Sequence, residues 1–294
     1  MVLQKPKALA GLVLLCVVPL TGFAASVARE ATKPQTPQVV PVGAPQAPQA
    51  PQAARAEAPS QGGSDVAANA PTAPAPAGAS NTVCAAGMVR VRGAACDEVE
   101  QTCKKYLDPP PYQNLRCGEY VTPSRCTGGK KALDFCIDRE EAHDLETELP
   151  TVSVSFVDAK AKCSARGLHL CKEDEWVFAC EGEAMVPYPY GHTRDSSACN
   201  IDKTNLGGPN GRLRDLRAKV SDYPRCLSPF GVHDMTGNVD EWVEREQGPQ
   251  HSVLHGGWWL PGRNRCRATT AEHGPEYTAK QVGYRCCGAT RPGG

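Results

Sequence analysis

Residues 258–281 gather an unusual number of side chains able to bind something. Arg263, Arg265 and Arg267 offer guanidinium forks, Asn264 and Gln281 offer amides, His273 an imidazole and Glu276 a carboxylate, with Tyr277 beside them. Planar donors next to an imidazole and a carboxylate suit an anion, a sugar or a peptide terminus. Trp258 and Trp259, just upstream, would supply flat apolar walls of the kind that dominate binding hot spots. His273 and Glu276 could ligate a metal, but two donors do not make a site. The competing reading is a solvated loop whose ion pairs contribute little.

Cysteine is the other reactive residue present in quantity. The chain has fifteen, and one of them, Cys16, lies in the N-terminal apolar run. The fourteen that follow form an even set with no C-x2-C spacing, which argues against a zinc cluster and for up to seven disulfides formed in an oxidising compartment. The N-terminus agrees. Lys5 and Lys7 precede an apolar run over 8–20 that is too short to span a bilayer, and Gly22-Phe23-Ala24 places small residues where a signal peptidase needs them. The expectation is a signal peptide over 1–24. Cys16 follows Leu14 and Leu15, not the small residue a lipid-attachment site requires, so lipidation is not expected.

The elements that must position these groups occupy the C-terminal two-thirds. Residues 25–81 are a Pro/Ala/Gln-rich linker without cysteine, too poor in apolar surface to fold. From residue 82 to 294 the composition is that of a single domain with scattered Gly and Pro, irregular and disulfide-pinned. Thirty-two basic and thirty-two acidic residues cancel, so nothing points to nucleic acid or an anionic membrane surface. Two helices are predicted. Ser155 caps one over 156–166, closed by Gly167; another covers 172–180, with Glu173, Asp174 and Glu175 at its positive end and Gly182 after it. Strands are predicted over 88–91, 133–137 and 282–286.

An ordered series of short motifs runs through this domain. It comprises Gly87-Met88-Val89, Asp134-Phe135-Cys136-Ile137-Asp138-Arg139-Glu140, Pro150-Thr151-Val152-Ser153-Val154-Ser155-Phe156-Val157-Asp158-Ala159 and Gly167-Leu168-His169-Leu170-Cys171-Lys172-Glu173-Asp174-Glu175-Trp176. Then follow Tyr188-Pro189-Tyr190-Gly191, Cys199-Asn200-Ile201, Asp234-Met235-Thr236-Gly237-Asn238-Val239-Asp240-Glu241-Trp242-Val243, His255-Gly256-Gly257-Trp258-Trp259 and Gly283-Tyr284-Arg285-Cys286. Together they resemble the formylglycine-generating enzyme (sulfatase-modifying factor) family, with Cys171 where the family has proline. The resemblance implies an α+β fold related to C-type lectins, with little regular secondary structure. It also implies a Cys163–Cys286 bridge. The family partner position of Cys180 is Ala271 here, which leaves Cys266 or Cys287 to pair with it.

The resemblance carries metal implications as well. One calcium site would use Asn200, the Ile201 carbonyl, Asp215 and the carbonyl near Arg217. A second would use Asp234, Glu241 and the carbonyls of Met235, Gly237 and Val239; the plainer alternative is that Asp234 and Asn238 only shape a turn. Enzymes of the family hold copper(I) between two cysteines five apart while oxidising a substrate cysteine with oxygen. Here the second is Cys266, but Pro261 stands at the first position and offers no ligand, so copper is not expected. The expectation is an exported, calcium-stabilised binding module, periplasmic, cell-surface or secreted. Its partner would be an extracytoplasmic protein, peptide or glycan, with no nucleic acid and no membrane span after signal cleavage. The alternative is an oxidoreductase of the same family.

Overall fold

Two nine-residue strands open the domain and carry it. Alternation of Val89, Val91, Leu133, Phe135 and Ile137 lets β1 (Met88–Cys96) and β2 (Lys130–Asp138) pair antiparallel in unbroken register, from Met88 opposite Asp138 to Cys96 opposite Lys130. Both extend beyond the predicted 88–91 and 133–137. The computed structural model describes residues 82–112, 115–220 and 222–292, so the expected signal peptide, the linker and Cys16 lie outside the described residues.

Six further short strands complete two four-stranded sheets. They are β3 (His169–Leu170), β4 (Asp240–Glu244), β5 (Ser252–His255), β6 (Thr269–Thr270), β7 (Val282–Tyr284) and β8 (Cys286–Ala289). The first sheet has the order β1-β2-β8-β3 and the second β6-β5-β4-β7, with β7 parallel to β4. The single strand predicted over 282–286 is therefore two strands in different sheets, separated by Arg285. Three two-stranded ladders pair Thr82–Val83 with Arg291–Pro292, Val99–Glu100 with Arg125–Cys126 and Cys103–Tyr106 with Cys117–Tyr120.

Helix α1 (Phe156–Ala165) begins where Ser155 Oγ accepts the Asp158 N–H at 3.1 Å. Helix α2 (Glu173–Glu181) begins where the Glu175 carboxylate reaches back to the Lys172 N–H at 2.9 Å, and it ends at Gly182, whose φ of 63° suits glycine. Phe156, Leu170, Trp242, Leu254 and Tyr284 pack around α1, while Phe135, Ile137, Trp176, Phe178 and Val243 pack around α2. A buried tryptophan removes on the order of 200 Å² from water, roughly 5 kcal/mol of transfer free energy. Trp176 and Trp242 are both fully buried, so they anchor the two halves of the core.

Seven disulfides join all fourteen cysteines from Cys84 onward. Three serve the N-terminal strands: Cys84–Cys136, Cys96–Cys126 and Cys103–Cys117. Cys163–Cys286 ties α1 to β8, Cys171–Cys287 ties the start of α2 to the same strand, and Cys199–Cys226 closes a loop. Cys180–Cys266 fastens the end of α2 to the segment after the tryptophans, which resolves the two partners left open for Cys180. The bridges spanning 123 and 116 residues each stabilise by about 4–5 kcal/mol on the chain-entropy model. No helix among the described residues is long and apolar enough to cross a membrane.

Candidate functional site

Cys266 is fully buried and bonded through sulfur to Cys180, and its N–H donates to the Pro187 carbonyl at 2.9 Å. A disulfide sulfur is not a thiolate, and Pro261 supplies no second sulfur, so the residues present do not fit a copper(I) site.

The structure separates the predicted binding residues into outward and inward groups. Trp258, Arg263 and Asn264 line a cleft of about 280 Å³ with Leu115, Asp240, Leu260, Pro261 and Thr270. Within it, Asp240 Oδ1 accepts the Gly257 N–H at 2.9 Å, and loss of solvation pushes the Asp240 carboxyl up to about 7. Gly257 is required there: its φ is 70°, and a Cβ would meet Asn264 Nδ2 at 2.7 Å. Asn264 faces inward, donating to the Trp258 carbonyl at 2.6 Å and accepting Arg194 Nη2 at 2.7 Å. Arg194 is in turn clamped on Asp202, so Asn264 shapes the cleft wall more than it meets a ligand.

Two candidates prove to be scaffold. Trp259 is fully buried and meets Trp258 edge-on at 5.1 Å, so it packs the core instead of walling a groove. Arg267 grips the buried Glu181 through Nε at 2.7 Å and Nη2 at 2.6 Å, and donates to the Cys96 and Asp97 carbonyls. Gln281 contributes its carbonyl to the Asp240 N–H at 2.8 Å. His273 stacks flat on Tyr277 with centroids 3.7 Å apart, and its carbonyl accepts Gln250 Nε2. Glu276 is exposed and Arg265 half-buried. Arg263, Trp258 and Asp240 are brought together in one cleft; His273 and Glu276 are not among its walls.

The loop expected to hold the first calcium carries its own counter-ion. Asp215 accepts Arg217 Nη2 at 2.6 Å and Nε at 2.9 Å, while Asn200 Nδ2 donates to the Leu216 carbonyl and to Asn238 Oδ1. Ile201 is buried beneath Gly237, whose φ of 85° and whose approach to Ile201 and Asn200 leave no space for a Cβ. In the second loop the two acids differ. Both Glu241 oxygens are taken, by Arg285 and Trp176 Nε1, whereas both Asp234 oxygens are buried without a hydrogen-bond partner. Asp234 keeps both oxygens free for a cation, whereas Glu241 already accepts three hydrogen bonds. Asn238 shapes the turn by donating to Glu141 Oε2 at 2.6 Å and accepting the Ala218 N–H at 2.9 Å.

Sequence reasoning passed over a second cleft of about 610 Å³ between α2, the paired ends of β1 and β2, and the second sheet. At its wall the buried His255 places Nε2 2.8 Å from Glu173 Oε1 and 3.1 Å from Thr269 Oγ1, with its ring 5.2 Å from Trp176. Arg245 closes a fork on the same Glu173. Desolvation opposes ionisation of Glu173, but hydrogen bonds from Arg245 and His255 outweigh it and pull the carboxyl down to about 2. Only the His255-Gly256-Gly257 run hinted at this, and it gave no sign of the partner on α2.

The inactive Cα-formylglycine-generating enzyme 2 of Bos taurus is 32% identical over 168 residues, covering 50% of this chain and 53% of that protein. A formylglycine-generating enzyme of Mycobacterium tuberculosis is 31% identical over 107 residues, covering 35% and 36%. The chain thus spans about half the length, or less, of these curated relatives. Among solved structures, PvdO from Pseudomonas aeruginosa superposes with a TM-score of 0.46 at 17% identity, over 69% of this chain and 94% of that one. Residues 96–290 match the sulfatase-modifying factor enzyme 1-like domain, and the chain belongs to that family.

Proposed function

We propose that this protein is a non-catalytic member of its family, working outside the cytoplasm as a binding module. The observation that carries the reading is the Cys180–Cys266 bridge. It commits to scaffold the one sulfur that stands at the family's copper-binding position, opposite a proline that cannot complete the pair. A relative whose name describes it as inactive agrees with this. Seven disulfides support an oxidising compartment. The ligand-facing feature is the cleft of Trp258, Asp240, Leu260 and Arg263, where an indole face, a guanidinium and a carboxyl suit a peptide or glycan carrying polar groups.

The test has two arms. A peptide bearing a sulfatase-type target cysteine is incubated with the protein, copper and oxygen, then weighed by mass spectrometry. It should return unmodified; conversion to the aldehyde would overturn the reading in favour of an oxidoreductase. The second arm is a glycan and peptide screen against the wild type and Arg263→Ala, in which capture lost with Arg263 supports the cleft and capture unaffected by it counts against.

A further inference from the structure

The orphaned Asp234 carboxylate has two neighbours that the family resemblance does not supply. Glu140 Oε2 and His233 Nδ1 are also buried without a hydrogen-bond partner, and ligand atoms of these three side chains all lie within 4.8 Å of one another. Asp234 is 2% exposed. A buried carboxylate with neither oxygen satisfied is unfavourable unless a proton or a cation covers it.

The backbone holds this arrangement from several directions. The His233 N–H donates to the Arg139 carbonyl at 2.9 Å, setting His233 beside Glu140, and the Asp234 N–H donates to the Cys226 carbonyl at 2.9 Å. Arg285 donates to the carbonyls of Arg139 and His233, locking both segments. Its charge does not satisfy Asp234 directly, because Nε and Nη2 bind Glu241. The carboxyl groups of Glu140, Glu141, Asp234 and Glu241 all lie within electrostatic range of this one guanidinium.

We propose that Glu140, His233 and Asp234 form a divalent transition-metal site, with zinc as the ion that fits. Calcium prefers six to eight oxygens, whereas an imidazole nitrogen beside two carboxylates is a donor set for zinc and its neighbours. Zinc sits about 2 Å from each donor, so donors up to 4.8 Å apart must draw together when it binds, and water takes the fourth position. Glu140 and His233 are only half-buried, which leaves that water a path from solvent. The site differs from the calcium loop implied by the resemblance: it shares Asp234 but replaces Glu241 with a histidine and a different glutamate.

The test uses the full chain, disulfides intact, stripped with EDTA and titrated with zinc or calcium against a chromophoric indicator. One zinc per chain should bind below micromolar concentration and raise the melting temperature by several degrees. His233→Ala and Glu140→Gln should each weaken zinc at least tenfold while leaving the metal-free melting temperature nearly unchanged. Should either variant fold poorly, cobalt(II) added to the wild type decides the matter: visible absorption bands with shifted histidine ring resonances support the site, and their absence overturns it. Failure to take up zinc, zinc uptake indifferent to His233→Ala, or tighter binding of calcium than zinc would each overturn the proposal.

Discussion

Arg285 sits between two strands that belong to different sheets, and its guanidinium closes on both oxygens of Glu241, Nε to Oε2 and Nη2 to Oε1, each at 2.6 Å. Neither side chain is more than 1% exposed. Glu241 lies on β4 and Arg285 between β7 and β8, so the pair bolts the second sheet to the first where the chain crosses over. Trp176 Nε1 adds a donor to Glu241 from α2 at 2.8 Å.

Breaking one side of such a pair leaves an uncompensated charge in the core. Arg285→Met or Glu241→Gln is expected to lower stability by about 3–5 kcal/mol, read as the shift in urea midpoint. The double variant should recover part of the loss, because no lone charge remains. Two single variants within 1 kcal/mol of wild type would show that the pair is not the bolt described.

The way the chain crosses here also marks where sequence reading ends. Ser155 and Gly182 announced their helices because caps and stops act within a few residues. The run from Val282 to Cys286 reads as one strand because every residue in it tolerates extended backbone. The break at Arg285 is set by Glu241, a partner distant in sequence. Arg267 is a similar case. It resembles a ligand-binding arginine until Glu181, from the end of α2, is brought beneath it. The grouping of Glu140, His233 and Asp234 was equally hidden, since it depends on the Arg139–His233 backbone bond. Sulfur pairing was legible only in part: parity gave the number of bridges, but the choice of Cys266 for Cys180 needed the fold.

With every cysteine from Cys84 onward paired, denatured but unreduced protein beginning beyond Cys16 should react with fewer than one equivalent of a thiol reagent. Two or more equivalents would break the assignment. Cys180→Ala should expose one thiol, trapped by alkylation at Cys266 in a peptide map. It should also cost about 2–5 kcal/mol, as loss of a native bridge does.

The split of the arginines into cleft and scaffold makes opposite demands on two substitutions. Arg267→Ala strands the buried Glu181 and should cost about 3 kcal/mol in a thermal or urea melt. Arg263→Ala removes an exposed side chain and should stay within about 0.5 kcal/mol of wild type. A ligand found by the screen should be lost with Arg263→Ala or Trp258→Ala. Equal stability losses at both arginines would mean that Arg263 is scaffold too.

Glu173 gives the acid limb of stability a specific origin. Its carboxyl stands at about 2 in the folded protein against an ordinary value of 4.5, chiefly because Arg245 and His255 outweigh its desolvation. A lowered folded value means that the unfolded chain binds the proton first as the pH falls. The contribution is therefore complete above about pH 4.5 and is lost as the pH drops from there through about 2. At 1.36 kcal/mol per unit, and allowing for partial exposure of the carboxylate, it amounts to about 2–3 kcal/mol. Glu173→Gln removes the charge but keeps the shape. Urea unfolding at pH 6 should show the variant weaker by that amount, while at pH 2 the two proteins should converge. A deficit of the same size at both pH values would assign the loss to packing around His255 and Trp176 instead of to the carboxylate.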